Sequence, residues 1–103
     1  MLKKYIRKEE VLYVKWDGKK ETLNLIKKEM VKKSTNKMKV GVCKTDKDIL
    51  YLTEDNGFIT STSYIQIGDY VVLDVYKKSI YDKNKLYKLF GCNESFFDEQ
   101  YRD

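Results

Sequence analysis

Hydrophobic and polar positions alternate, switch period and alternate again along this chain. From Val11 to Trp16 the run VLYVKW is β-branched and aromatic and predicts a strand. Leu12, Val14 and Trp16 form its core side, and Val11, Tyr13 and Lys15 the opposite side. Asp17-Gly18 is a turn signal that ends it. In KKETLNLIKKEMVKK the period lengthens: Leu23, Ile26 and Met30 fall at i, i+3 and i+7, one stripe at helical spacing. Glu29 precedes Lys33 by four residues, a modestly favourable helical pair, and Ser34-Thr35-Asn36 stops the helix.

KMKVGVCK returns to strict alternation, with Met38, Val40 and Val42 on one side and Lys39, Gly41 and Cys43 on the other. DILYLTEDNGFITSTS predicts a hairpin whose two short strands join at Asn56-Gly57, the dipeptide of a type I′ turn. Gly68-Asp69 then turns the chain into YVVLDVY, and the turn Asp82–Lys85 leads into LYKLF. Residues 70–81 and 85–90 therefore read as a second, longer hairpin. The tail CNESFFDEQYRD opens on Asn93, or on Ser95 and Asp98 as a small capping box, and predicts one helical turn around Phe96 and Phe97. The order β-α-β-β-β-β-β with a short terminal helix is α+β. It implies one amphipathic helix packed on a mainly antiparallel, twisted sheet of five to six strands.

Composition narrows the chemistry. The 103 residues carry no internal repeat, low-complexity tract or linker, so residues 1–103 read as a single domain. Histidine is absent, which removes the commonest general base and the commonest zinc ligand together. Cys43 and Cys92 read as reduced, small hydrophobes rather than a disulfide. No catalytic residue, metal site or cofactor is expected. The carboxylate pairs Glu9/Glu10, Asp46/Asp48, Glu54/Asp55 and Asp98/Glu99 fall at strand ends, turns or a helix turn that would leave them in water, a poor setting for a general acid. All five glycines are isolated, so no phosphate-cradling loop exists, and Gly57 and Gly68 read as turn residues.

Charge is unevenly placed. The chain carries +5, with a balance of +9 over residues 1–44 and −4 over residues 45–103. Such polarity implies an anionic partner, although AT-rich coding sequence produces a lysine-, isoleucine- and tyrosine-rich chain as well. Lys27, Lys28, Lys32 and Lys33 spread around the polar arc of the helix with Glu21 and Glu29 among them, as on a solvated face. The late hairpin collects Tyr76, Lys77, Lys78, Tyr81, Lys83, Lys85 and Tyr87. Aromatic area beside charge suits a contact surface, and these residues with Lys27 and Lys28 are the candidate partner-binding site. Cross-strand tyrosine pairs that stabilise the hairpin alone are the competing reading. No apolar run approaches the roughly 18 residues that span a bilayer. MLKKYIRKEE carries the charge of a signal peptide without its apolar segment, so a cytosolic location away from membranes is expected.

Three stretches, KKYIRKEEVLYVKWDG, IQIGDYVV and FGCNESFFDEQY, occur in that order. Together they resemble a family of small phage and prophage proteins. Its members open with Y-R-K-K-P-V-x-V-E-A-x-Q-W-x-G, turn on P-G-D-W/Y and close with F-Y-P-C-x-P-D-x-F-x-x-x-Y. Trp16 and Gly18 match the opening, Gly68, Asp69 and Tyr70 the turn, and Cys92, Phe97 and Tyr101 the close. The family's prolines are replaced by Glu10, Ile67, Gly91 and Glu94, and about ten extra residues around Lys77–Lys88 enlarge the late hairpin. The resemblance implies a phage setting, a bacterial host cytoplasm and work done by binding. A small non-enzymatic inhibitor of a host factor fits: a CRISPR effector, another immune protein, or a nucleotide immune signal that is sequestered. A host protein or ribonucleoprotein is the partner implied first, and the pattern is compatible with a homodimer. The alternative is a phage accessory protein that binds nucleic acid.

Overall fold

In a computed structural model, which describes residues 3–4, 11–55, 57–76 and 86–101, the alternating stretch after Val11 forms β2 (Leu12–Lys15). The two-residue β1 (Lys3–Lys4) lies beside it. α1 (Lys20–Leu25) follows and continues without a break into a π-helical segment, Ile26–Val31. Then come β3 (Lys37–Val42), β4 (Leu50–Asp55), β5 (Thr60–Ile65), β6 (Tyr70–Tyr76), β7 (Leu86–Cys92) and α2 (Glu94–Tyr101). The architecture is α+β, as the element order predicts. The strands, however, form two antiparallel sheets rather than one, ordered β1-β2-β6-β7 and β3-β4-β5.

The division happens at Gly68. Asp69 N–H donates to the Gln66 carbonyl (3.0 Å) and Gly68 takes a φ of +100°, a left-handed conformation that suits glycine. This turn is stitched to the end of β2: Trp16 N–H donates to the Asp69 carbonyl (2.8 Å) and Gly68 N–H to the Trp16 carbonyl (2.9 Å). The chain leaving β5 is therefore delivered to β2, and β6 pairs there from Lys15↔Tyr70 to Leu12↔Leu73.

The β4–β5 hairpin departs from its predicted turn. Asp55 opposes Thr60, so four residues rather than two make the connection; Asn56 lies outside the described residues. A two-residue turn at Asn56-Gly57 would set Ser63 opposite Leu50. The observed register sets Ile65 there, and both side chains are buried. Core packing overrides the turn dipeptide. In the late hairpin, β6 and β7 pair from Tyr70↔Cys92 to Tyr76↔Leu86, and its tip, 77–85, falls outside the described residues.

The first sheet is covered on both faces. Towards the second sheet it presents Val14, Trp16, Val71, Leu73 and Leu89, which meet Val40, Leu50, Leu52 and Ile65 together with Ile26 and Met30 of the helix. The predicted helical stripe and the predicted core side of β2 both face this main core. On its other face, Val11, Tyr70 and Val72 are buried under Phe97 and Tyr101 of α2. That helix has two turns rather than the single turn expected. Asn93 caps it, its side-chain oxygen accepting from Phe96 N–H (2.8 Å), and Phe97 and Tyr101 at i and i+4 dock it. Tyr70 and Phe97 stack with ring centroids 4.0 Å apart, and Tyr13 leans on Phe97 at 4.6 Å.

Candidate functional site

The residues that carry the family resemblance come together in space, and they do so as architecture. Trp16 is buried, and its Nε1–H donates to the Asp48 carbonyl (2.7 Å), which ties the β3–β4 loop to the end of β2. Gly18, with a φ of +78°, lies against Ile67: a Cβ there would come within 2.8 Å of the Ile67 Cδ1. Tyr70 opposes Cys92 and stacks on Phe97. All eight matched positions are turn or core positions.

Of the predicted contact residues, Lys77, Lys78, Tyr81, Lys83 and Lys85 lie outside the described residues, and of Tyr76 only the backbone, at the end of β6, is described. Tyr87 is half-buried and packs against the main core, on the same side of β7 as Leu89. Its N–H donates to Thr35 Oγ1 (2.7 Å) and its carbonyl accepts from Thr35 N–H (2.8 Å), so this tyrosine closes the edge of β7 against the loop before β3. Lys27 and Lys28 are exposed on the π-helical segment. They belong to a run from Lys19 to Lys47 in which ten lysines, all exposed, meet only Glu21, Glu29 and Asp46.

The described carboxylates of the candidate pairs sit in turns, hydrogen bonds or solvent. Asp46 Oδ1 accepts from Asp48 N–H (3.0 Å), Asp55 Oδ1 from Gly57 N–H (2.9 Å), and Glu54 Oε1 from Asn36 Nδ2 (2.9 Å). Asp98 and Glu99 are exposed on α2. Among the described residues no three Cys, Asp or Glu side chains gather as metal ligands would. Cys43 and Cys92 are both free and half-buried. Burial, with the nearby Asp69 charge, pushes the Cys92 thiol up to about 11, so it stays protonated at neutral pH and is a poor nucleophile. Burial and the Asp74 carboxylate push the Tyr101 hydroxyl up as well.

Two surfaces were not read from the sequence. The first is a cleft of about 480 Å³ at the corner where β5, β7 and the start of α2 meet, walled by Tyr64 and Phe96 and floored by Ile65, Gly91 and Cys92. The second is the outer edge of β5, flanked by Phe58, which is 98% exposed, and by Ile59 and Ile67. The cleft is made by three elements distant in sequence, which periodicity does not bring together. The edge had a signal: Phe58-Ile59 directly after Asn56-Gly57, then nine residues, Thr60–Gly68, without a charge.

No family model, curated protein or solved structure matches this chain. No helix among the described residues is long and apolar enough to cross a membrane.

Proposed function

We propose that this chain is a small, non-enzymatic, phage-encoded binding protein that inhibits a host factor, with an antiviral defence protein as the target class. The observation that carries this reading is the run of exposed lysines from Lys19, before α1, to Lys47 in the β3–β4 loop. Its ten lysines outnumber the carboxylates among them by more than three to one. A surface of that sign favours an acidic partner and speeds encounter with it. The resemblance to small phage proteins supplies the setting, the bacterial cytoplasm. The tyrosines and lysines in the sequence from Tyr76 to Tyr87 are residue types that interfaces reuse.

A second reading, a nucleic-acid-binding accessory protein, draws on the outer face of the β3-β4-β5 sheet. There Tyr51 and Tyr64 are register partners, and Lys37 and Lys39 stand on the adjacent strand. Aromatic rings beside lysines on an open sheet can stack bases.

Capture of partners by tagged protein from nuclease-treated host lysate separates the two. The inhibitor reading expects a specific host protein, lost when Lys27, Lys28, Lys32 and Lys33 are changed together to Glu at unchanged circular dichroism. Affinity for random single-stranded nucleic acid that falls steeply with salt, with no protein captured, would favour the second reading instead.

A further inference from the structure

β5 is an edge strand which, among the described residues, is met by β7 only at its Ile65 end, and its residues Thr60–Tyr64 are exposed. The opposite edge of the same sheet, β3, sets Lys37 and Lys39 along its length, the commonest device against unwanted strand pairing. β7, the edge of the other sheet, is bonded from outside by Thr35. From Thr60 to Ile65, TSTSYI contains no charge, proline or glycine, and every residue before Ile65 is exposed. The large apolar side chains most exposed among the described residues gather at this strand. Phe58 and Ile59 precede it, Tyr64 is within it, Ile67 follows it, and Phe96 faces the cleft beside Tyr64.

We propose that β5 pairs antiparallel with β5 of a second copy of this chain, forming a closed two-fold dimer in which Phe58 of each copy enters the Tyr64–Phe96 cleft of the other. Antiparallel pairing of a strand with itself turns each end onto the opposite end of its mate. With the axis near Thr62 and Ser63, the Phe58–Ile59 end of one copy arrives at the Gln66–Asp69 turn of the other. The cleft begins there, since Ile65 and Asp69 both line it. At about 480 Å³ it is larger than a phenyl ring, with an aromatic side chain on each wall. The knob and the hole are thus carried by the same chain, at positions that a single two-fold operation superposes, which is the requirement of an isologous interface.

Charge does not oppose a second copy at this edge. Two molecules of net charge +5 repel, but the exposed lysines of Lys19–Lys47 lie on α1, the π-helical segment, β3 and the β3–β4 loop, leaving β5 neutral. An uncharged strand against its own copy meets no like charge across the pair. Pairing would join two three-stranded sheets into one of six strands and remove both open edges.

Sedimentation velocity and light scattering from micromolar to millimolar protein test this directly. The wild-type mass is expected to rise from one chain to two and to stop there. Phe58→Asp and Ser61→Lys, both at exposed positions, are expected to raise the midpoint concentration at least tenfold with unchanged circular dichroism. Lys27→Glu, away from this edge, leaves the midpoint within twofold. A wild type that remains a single chain across the range overturns the proposal. So does assembly that both β5-edge variants leave intact, or growth beyond two chains into open polymers.

Discussion

Tyr101 ends α2 with its ring buried and its hydroxyl donating to Asp74 Oδ2 at 2.7 Å. Burial and the neighbouring carboxylate both disfavour the phenolate, so the folded chain holds this hydroxyl above its ordinary value of about 10. The contribution to stability is complete below that ordinary value. It is lost as pH rises from there towards the folded value, because only the unfolded chain ionises readily. Tyr101→Phe is expected to cost about 1.5–3 kcal/mol at neutral pH, the worth of a hydrogen bond to a charged group. It should also flatten the alkaline decline relative to wild type. Urea unfolding at neutral pH and again above pH 10 measures both effects, and parallel declines in the two proteins would show that Tyr101 does not titrate against folding. None of this coupling was legible beforehand: Tyr101 and Asp74 are 27 positions apart, and only the docking of α2 across β6 joins them.

At the scale of elements, alternation and helical period told which residues point inward but not which strands are neighbours. Leu12, Val14 and Trp16, and the stripe Leu23, Ile26 and Met30, face the main core as expected. The division into two sheets was hidden because it depends on Trp16 bonding the Gly68 turn, a contact that no strand pattern records. The second layer under α2 was hidden because Phe97 and Tyr101 are a single i, i+4 pair, too short to display a period. Two strand glycines differ in what an added side chain would meet, Gly91 at the join between the sheets and Gly41 within the β3-β4-β5 sheet. At Gly91 an added Cβ would come within 2.5 Å of Ile65 Cγ1, near the root of a buried side chain that has nowhere to swing. At Gly41 the clash, 2.6 Å, is with the hydroxyl end of Tyr51, a half-buried ring that can rotate outward. Gly91→Ala is therefore expected to destabilise by about 1–3 kcal/mol, and Gly41→Ala by less than half as much. Equal losses in urea unfolding would mean that the β5–β7 corner yields as easily as a surface ring.

For the whole molecule, the charge polarity was legible from the chain and survives folding as the exposed lysines of Lys19–Lys47. The cleft was not, since it exists only where β5, β7 and α2 meet. One consequence concerns how the molecule comes apart. The two cores are opposite faces of the same strands: on β6, Val71 and Leu73 belong to the main core while Tyr70 and Val72 belong to the layer under α2. Losing either layer strips one face of β6 and weakens the pairing that supports the other, so the chain should unfold as a single cooperative unit. Trp16, the one tryptophan, is buried in the main core and reports on it by fluorescence. The ring cluster of Tyr13, Tyr70 and Tyr101 around Phe97 reports on the second layer through near-ultraviolet circular dichroism. In urea, with Phe58→Asp used to hold the protein as single chains, the two signals are expected to share one midpoint and one slope. If the tyrosine signal were lost at distinctly lower urea than the tryptophan signal, α2 and its layer would be a separable unit and the shared strands would not couple the cores.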